Sequence, residues 1–134
     1  ATPTGISKSF ITPEKLVKLN LKGEILEAEG DYCPSSEIKM HIRCYEERED
    51  VRSVVHAHPP IATGFALAHI PLDTYSLIES ENHGALTVGS DVITAYYRME
   101  TLELVAKTTF HGRMLLSTKG IEEQEIARPT LERL

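Results

Sequence analysis

Three short runs in this sequence carry side chains that could do chemistry: His56-Ala57-His58-Pro59, Asn82-His83-Gly84 and Pro34-Ser35-Ser36-Glu37. On an extended strand residues i and i+2 point to the same side, so His56 and His58 present two imidazoles to a single ion with little rearrangement. Neutral imidazole suits zinc and other first-row divalent metals, and a catalytic zinc site commonly takes three protein ligands and leaves one position open. His83 is the natural third ligand, because Asn82-His83-Gly84 makes a second junction of the same style and its glycine allows close backbone approach. A cupin also uses a His-x-His, but it wants a glutamate a few residues onward in β structure, and here Ala-rich sequence follows. His69 and His111 have no such company and read as ordinary core or surface histidines. Ser35 and Ser36, with the N–H groups of a helix start, would suit a dianionic phosphate, and Glu37 beside them could act on a substrate held there. Taken alone, Ser-Ser-Glu is also an ordinary capping pattern, and Thr4-Gly5 an ordinary turn.

The elements that must position these groups follow from hydrophobic period and turn chemistry. Val51 to Val55 is short and β-branched, as a buried strand should be, and it runs directly into His56. Pro59-Pro60 ends that strand, and Ile61 to Ala68 has helical spacing, so the histidine pair lies at a strand-to-helix junction. A helix is expected from Ser35 or Ser36 onward, with an apolar stripe of Ile38, His41 or Ile42, and Tyr45 and a solvated charged end at Glu46 to Asp50. Upstream, Thr12-Pro13-Glu14 looks like a helix start of a turn or so, and Val17 to Leu26 alternates around Lys22-Gly23 as a short hairpin should. Ala85 to Val88 is a second strand. Ser90 or Asp91 then caps the longest helix, whose apolar face takes in Val92, Ala95, Tyr96, Met99, Leu102 and Val105 or Ala106. It is expected to reach about Phe110, with His111-Gly112 as its end or a break. Ile121 to Leu134 could form a last amphipathic helix limited by Pro129. Strands and helices alternate, which places the chain in the α/β or α+β class.

Composition is that of one globular domain: 134 residues, 41% hydrophobic and 25% charged. The net charge of −6 is scattered, with no Lys/Arg stripe to neutralise a phosphate backbone, so no nucleic-acid partner is expected. No apolar run approaches the roughly 20 residues of a membrane span, and Ala1 to Phe10 lacks the layout of a signal peptide. A soluble, cytoplasmic protein without a membrane partner is the expectation. Cys33 and Cys44 have no C-x-x-C spacing and read as reduced thiols.

Pro3-Thr4-Gly5, Pro34-Ser35-Ser36-Glu37, His56-Ala57-His58-Pro59 and Asn82-His83-Gly84-Ala85 stand in the order found in the class II aldolase and adducin superfamily, which the chain resembles over nearly its whole length. The resemblance implies a three-layer α/β/α sandwich assembled as a homotetramer with active sites at subunit interfaces. It makes His56, His58 and His83 the ligands of zinc, or of another divalent first-row metal. Glu37 becomes the acid/base, also touching the metal when substrate is absent. Thr4, Gly5, Ser35 and Ser36 hold the substrate phosphate, and Tyr75, after Ile70-Pro71, is a proton donor from a neighbouring subunit. The implied reaction is cleavage of a ketose 1-phosphate such as L-fuculose 1-phosphate to dihydroxyacetone phosphate and an aldehyde, through a zinc-stabilised enediolate. The same scaffold serves pentulose-phosphate 4-epimerases, sugar-phosphate dehydratases and decarboxylases, and a non-catalytic adducin-like interaction domain is a rival of another kind. Against the family pattern, residues 1–134 form a single domain with segments expected to be missing before Ala1 and near Ser80-Glu81.

Overall fold

Local turn chemistry shapes the N-terminal third of the chain. The computed structural model describes residues 1–72 and 84–120. The short 3₁₀ turns Lys8–Phe10 and Pro13–Lys15 come first, the second with Pro13 at its first position as expected. The expected hairpin forms between antiparallel β1 (Lys18–Leu19) and β2 (Ile25–Glu27). Asn20 closes its turn, the side-chain Oδ1 accepting from the N–H groups of Lys22 and Glu24 at 2.9 and 3.0 Å. Helix α1 (Ile38–Glu47) follows. Its N-cap position is Glu37, not Ser35 or Ser36, and the Ser35 hydroxyl instead accepts from the Glu37 N–H at 3.4 Å. The charged end of α1 is surface, as expected, with Arg43 on Glu47 and Arg48 on Asp50, both at 2.6 Å.

The β-branched run before His56 forms β3 (Ser53–Ala57), and α2 (Pro60–Leu67) begins three residues later. β4 (Ala85–Gly89) pairs antiparallel with β3, Ser53 opposite Gly89 and Ala57 opposite Ala85. Helix α3 spans Val92–Thr118. Strand parity then builds the layers. Val54, Leu86 and Val88 face α1, where Met40, Cys44 and Tyr45 cover them. Val55, Ala57 and Ala85 face the other way, onto Ala62 and Phe65 of α2 and Met99, Leu102 and Ala106 of α3. β4 is buried along its whole length because helices cover both faces. The Thr87 hydroxyl, its one buried polar side chain, donates to the Ala95 carbonyl at 2.7 Å and ties β4 to α3. The order is helix, sheet, helix.

On α1 the expected Ile38, His41, Ile42 and Tyr45 are half-buried, and Met40 and Cys44 join Tyr45 against the sheet. The expected end of α3 needs correction. Helix α3 continues through His111 and Gly112 to Thr118, because one glycine costs a formed helix only about 1 kcal/mol and does not stop propagation. Its buried seam is Ala95, Met99, Leu102 and Ala106, and Val92 and Tyr96 are exposed. The tail from Ile121 to Leu134 and the Ser80-Glu81 region lie outside the described residues. Among the described residues no helix is long and apolar enough to cross a membrane. Cys33 and Cys44 are not joined in a disulfide.

Asp91 caps α3, its carboxylate accepting from the Thr94 N–H at 2.8 Å and the Thr94 hydroxyl at 2.7 Å. The Thr94 hydroxyl and then the Thr94 N–H hold its pKa below the usual carboxylate range. A folded-state pKa below the unfolded one contributes stability that is present above the unfolded value and lost as pH falls through the folded value. Asp91→Ala is therefore expected to lower the melting temperature by a few degrees at neutral pH and by progressively less toward about pH 3. Thermal unfolding at the two pH values checks this.

Candidate metal and phosphate site

Alternation along β3 puts His56 on the same side as Val54, toward α1, and His58 follows just past the strand end. Their rings stand edge to face, centroids 5.0 Å apart and planes 89° to one another. His56 pairs across the sheet with Leu86, and continuing that register sets Gly84 opposite His58. Gly84 is buried with φ of 88°. A Cβ added to it would lie 2.6 Å from Nε2 of His56 and 2.8 Å from Nε2 of His58, and would strike Cδ2 of His58 as well. Two imidazole nitrogens thus converge on the space beside the Gly84 backbone where a Cβ would stand, a cradle that any side chain would fill. This donor pair fits a first-row divalent ion. His83, next in sequence to Gly84, and Tyr75 lie outside the described residues. Among the described residues no group of three or more His, Cys, Asp or Glu side chains is placed to hold a metal ion.

The phosphate candidates come together although about 30 residues separate them in the chain. Pro3 and Pro34 form an isolated antiparallel bridge, with the Thr4 N–H donating to the Cys33 carbonyl at 2.9 Å and the Ser35 N–H to the Thr2 carbonyl at 3.0 Å. Thr4 and Gly5 are thereby strapped beside Ser35 and Ser36, at the start of α1, and the Ser36 hydroxyl lies 3.5 Å from the Glu37 carboxylate. Lys8 adds a cation there, donating to the Thr2 hydroxyl at 3.1 Å.

In the sequence His41 stands only as one choice among the helix-stripe residues of α1. Folded, it links the two halves of the site, one turn along α1 from Glu37 and half-buried. Burial pushes its imidazole below the ordinary histidine range; His56 and the N-terminal amine push the same way, and Glu37 pulls it back up. Glu103 on α3 was also missed: its carboxylate accepts from the N–H groups of Ile61 and Ala62, at 3.0 and 2.9 Å, at the start of α2. No local pattern announces that contact. The i,i+4 relation of Glu37 and His41 was the one signal that could have singled out His41.

Residues 1–80 match the family described as class II aldolase and adducin N-terminal domain. The chain belongs to that family. It is 28% identical over 142 residues to the L-fuculose phosphate aldolase of Methanococcus maripaludis strain S2, a match covering 81% of this chain and 77% of that protein. It is 43% identical over 125 residues to the 5-deoxy-D-ribulose 1-phosphate aldolase of Bacillus thuringiensis serovar kurstaki, covering 90% of this chain and 55% of the relative. Human beta-adducin is 30% identical over 131 residues, 96% of this chain but 15% of adducin. Among solved structures, an L-fuculose 1-phosphate aldolase superposes with a TM-score of 0.73 at 23% identity, covering 85% of this chain and 69% of that one. The family member described here therefore has the α/β fold of the class II aldolases.

Proposed function

We propose that this chain is a metal-dependent aldolase that cleaves a ketose 1-phosphate to dihydroxyacetone phosphate and an aldehyde. The observation that carries the reading is the convergence of His56 and His58 on the point a side chain of Gly84 would occupy, beside the residue covalently attached to His83. The chain's similarity to proteins named L-fuculose phosphate aldolase and 5-deoxy-D-ribulose 1-phosphate aldolase supports it. Zinc, or another divalent first-row ion, held by His56, His58 and His83 supplies Lewis-acid stabilisation of the negative charge that develops on substrate oxygens. Thr4, Gly5, Ser35 and Ser36 hold the phosphate with hydroxyl and backbone N–H donors, as the strap at Pro3 and Pro34 allows. Glu37, at the head of the same helix, moves the proton on the hydroxymethyl carbon of dihydroxyacetone phosphate, and Tyr75 gives a proton to the aldehyde oxygen. Tyr97, Leu104 and Leu115 leave exposed apolar surface on α3, which supports assembly as a homotetramer.

Metal analysis of the purified protein, joined to a coupled assay for aldehyde release from a panel of ketose 1-phosphates, tests this reading. Bound metal with aldehyde release is expected. A metal-free, inactive protein would instead favour the adducin-like interaction domain that the human relative suggests. Bound metal with interconversion of pentulose phosphates and no aldehyde would make it a 4-epimerase. Glu37→Gln is expected to leave metal content near normal and to slow deuterium exchange into dihydroxyacetone phosphate about 100-fold or more. An unchanged exchange rate removes Glu37 from the role of base.

A further inference from the structure

The stretch from His56 to His58 runs out of β3 into Pro59-Pro60, and those prolines leave the start of α2 short of partners. Pro59, at the N-cap position, has no polar side chain to cap with, and Pro60 has no N–H. The first bond of the helix's own ladder is from the Thr63 N–H to the Pro59 carbonyl, at 2.8 Å. The N–H groups of Ile61 and Ala62 must therefore find acceptors outside the helix. Both go to one carboxylate, Oε1 of Glu103 taking Ile61 and Oε2 taking Ala62. Glu103 lies about 40 residues away, on α3, between the buried Leu102 and the exposed Leu104. Placed so, its negative charge also meets the positive end of the α2 dipole.

We infer that Glu103 is a positioning residue for the histidine pair, a strut that fixes where β3 ends and α2 begins and so how His56 and His58 are aimed. His58 immediately precedes Pro59, and its ring, edge to face with that of His56 and against Gly84, moves with the backbone that enters α2. The distance from Pro59 to β3 is too short to absorb a shift of α2 without moving it. A two-toothed clamp on the first turn of α2 removes that freedom. This inference rests on the reading of His56 and His58 as metal ligands.

The test compares wild type with Glu103→Gln, Glu103→Asp and Asp91→Ala. Gln keeps the shape but turns one acceptor into a donor facing an N–H, and Asp keeps the charge but stops a methylene short. Zinc affinity is read by competition with a chromophoric chelator, ligand geometry by the absorption spectrum of the cobalt-substituted protein, and the clamp itself by amide hydrogen exchange at Ile61 and Ala62. The expected result is faster exchange at those two amides, zinc bound about tenfold more weakly and an altered cobalt spectrum in both Glu103 variants. Asp91→Ala, a lost cap on the other side of the fold, should leave affinity and spectrum unchanged. Faster exchange with wild-type zinc affinity and spectrum would overturn the inference and reduce Glu103 to a helix cap. A wild-type protein that binds no zinc would overturn the metal reading itself, which the wild-type measurement alone decides.

Discussion

Gly84→Ala is expected to weaken metal binding by about 100-fold or more while most of the fold survives. Two effects meet at this residue. Its φ of 88° is a conformation that costs an L side chain about 1–3 kcal/mol, and the new methyl would occupy the space where Nε2 of His56 and Nε2 of His58 converge. One ring or the backbone has to move, and either movement breaks the convergence. Gly23→Ala separates the two effects. Gly23 has φ of 82°, but a Cβ there only touches Cδ1 of Ile42 at 3.4 Å. It should lose stability on the scale of the backbone strain alone and keep full metal affinity. Denaturant unfolding and chelator competition on the two variants measure the difference. Equal metal affinity in Gly84→Ala and wild type would mean that the point of convergence is not where a metal sits.

His58→Ala and His56→Ala are each expected to bring bound metal to background and to slow aldol cleavage about 1000-fold or more, since the Lewis acid supplies several kcal/mol to the barrier. The two should differ in stability. His58 is exposed, so its loss should leave the unfolding transition of the metal-free protein where it is. His56 is half-buried on the face of β3 that α1 covers, and truncating it leaves a gap between strand and helix. His58→Ala is thus the cleaner variant, and a chelator-treated wild type that regains activity with zinc completes the comparison. Full activity in metal-depleted His58→Ala would end the case for metal-assisted cleavage.

Much of the framework around the candidate site was legible locally. A β-branched run leading into His-Ala-His, a proline pair and an Ala-rich helix is read within a dozen residues, because strand parity, proline and capping act over one or two turns of chain. β3, α2 and the Asp91 cap of α3 appear accordingly. Where the reading slipped, a local rule met a non-local force. Gly112 looked like a stop for α3, but propagation carried the helix past it to Thr118. Ile38, Ile42 and Tyr45 are half-buried on α1 as their spacing implies, but that Met40 and Cys44 join Tyr45 against the sheet depends on the face the helix covers.

What the amino-acid order determined by itself, then, is the candidate chemistry and the short elements that carry it: imidazoles at strand spacing, a carboxylate behind two hydroxyls near a helix start, a glycine that lets backbone come close. Only the tertiary structure decided who meets whom. It set Gly84 opposite His58, strapped Thr4 to Cys33, brought His41 within electrostatic reach of His56 and brought Glu103 to the first turn of α2. Such contacts join residues tens of positions apart and leave no period in the chain. They are selected when apolar surface on both faces of β4 is buried at once and every N–H beneath it must still find an acceptor.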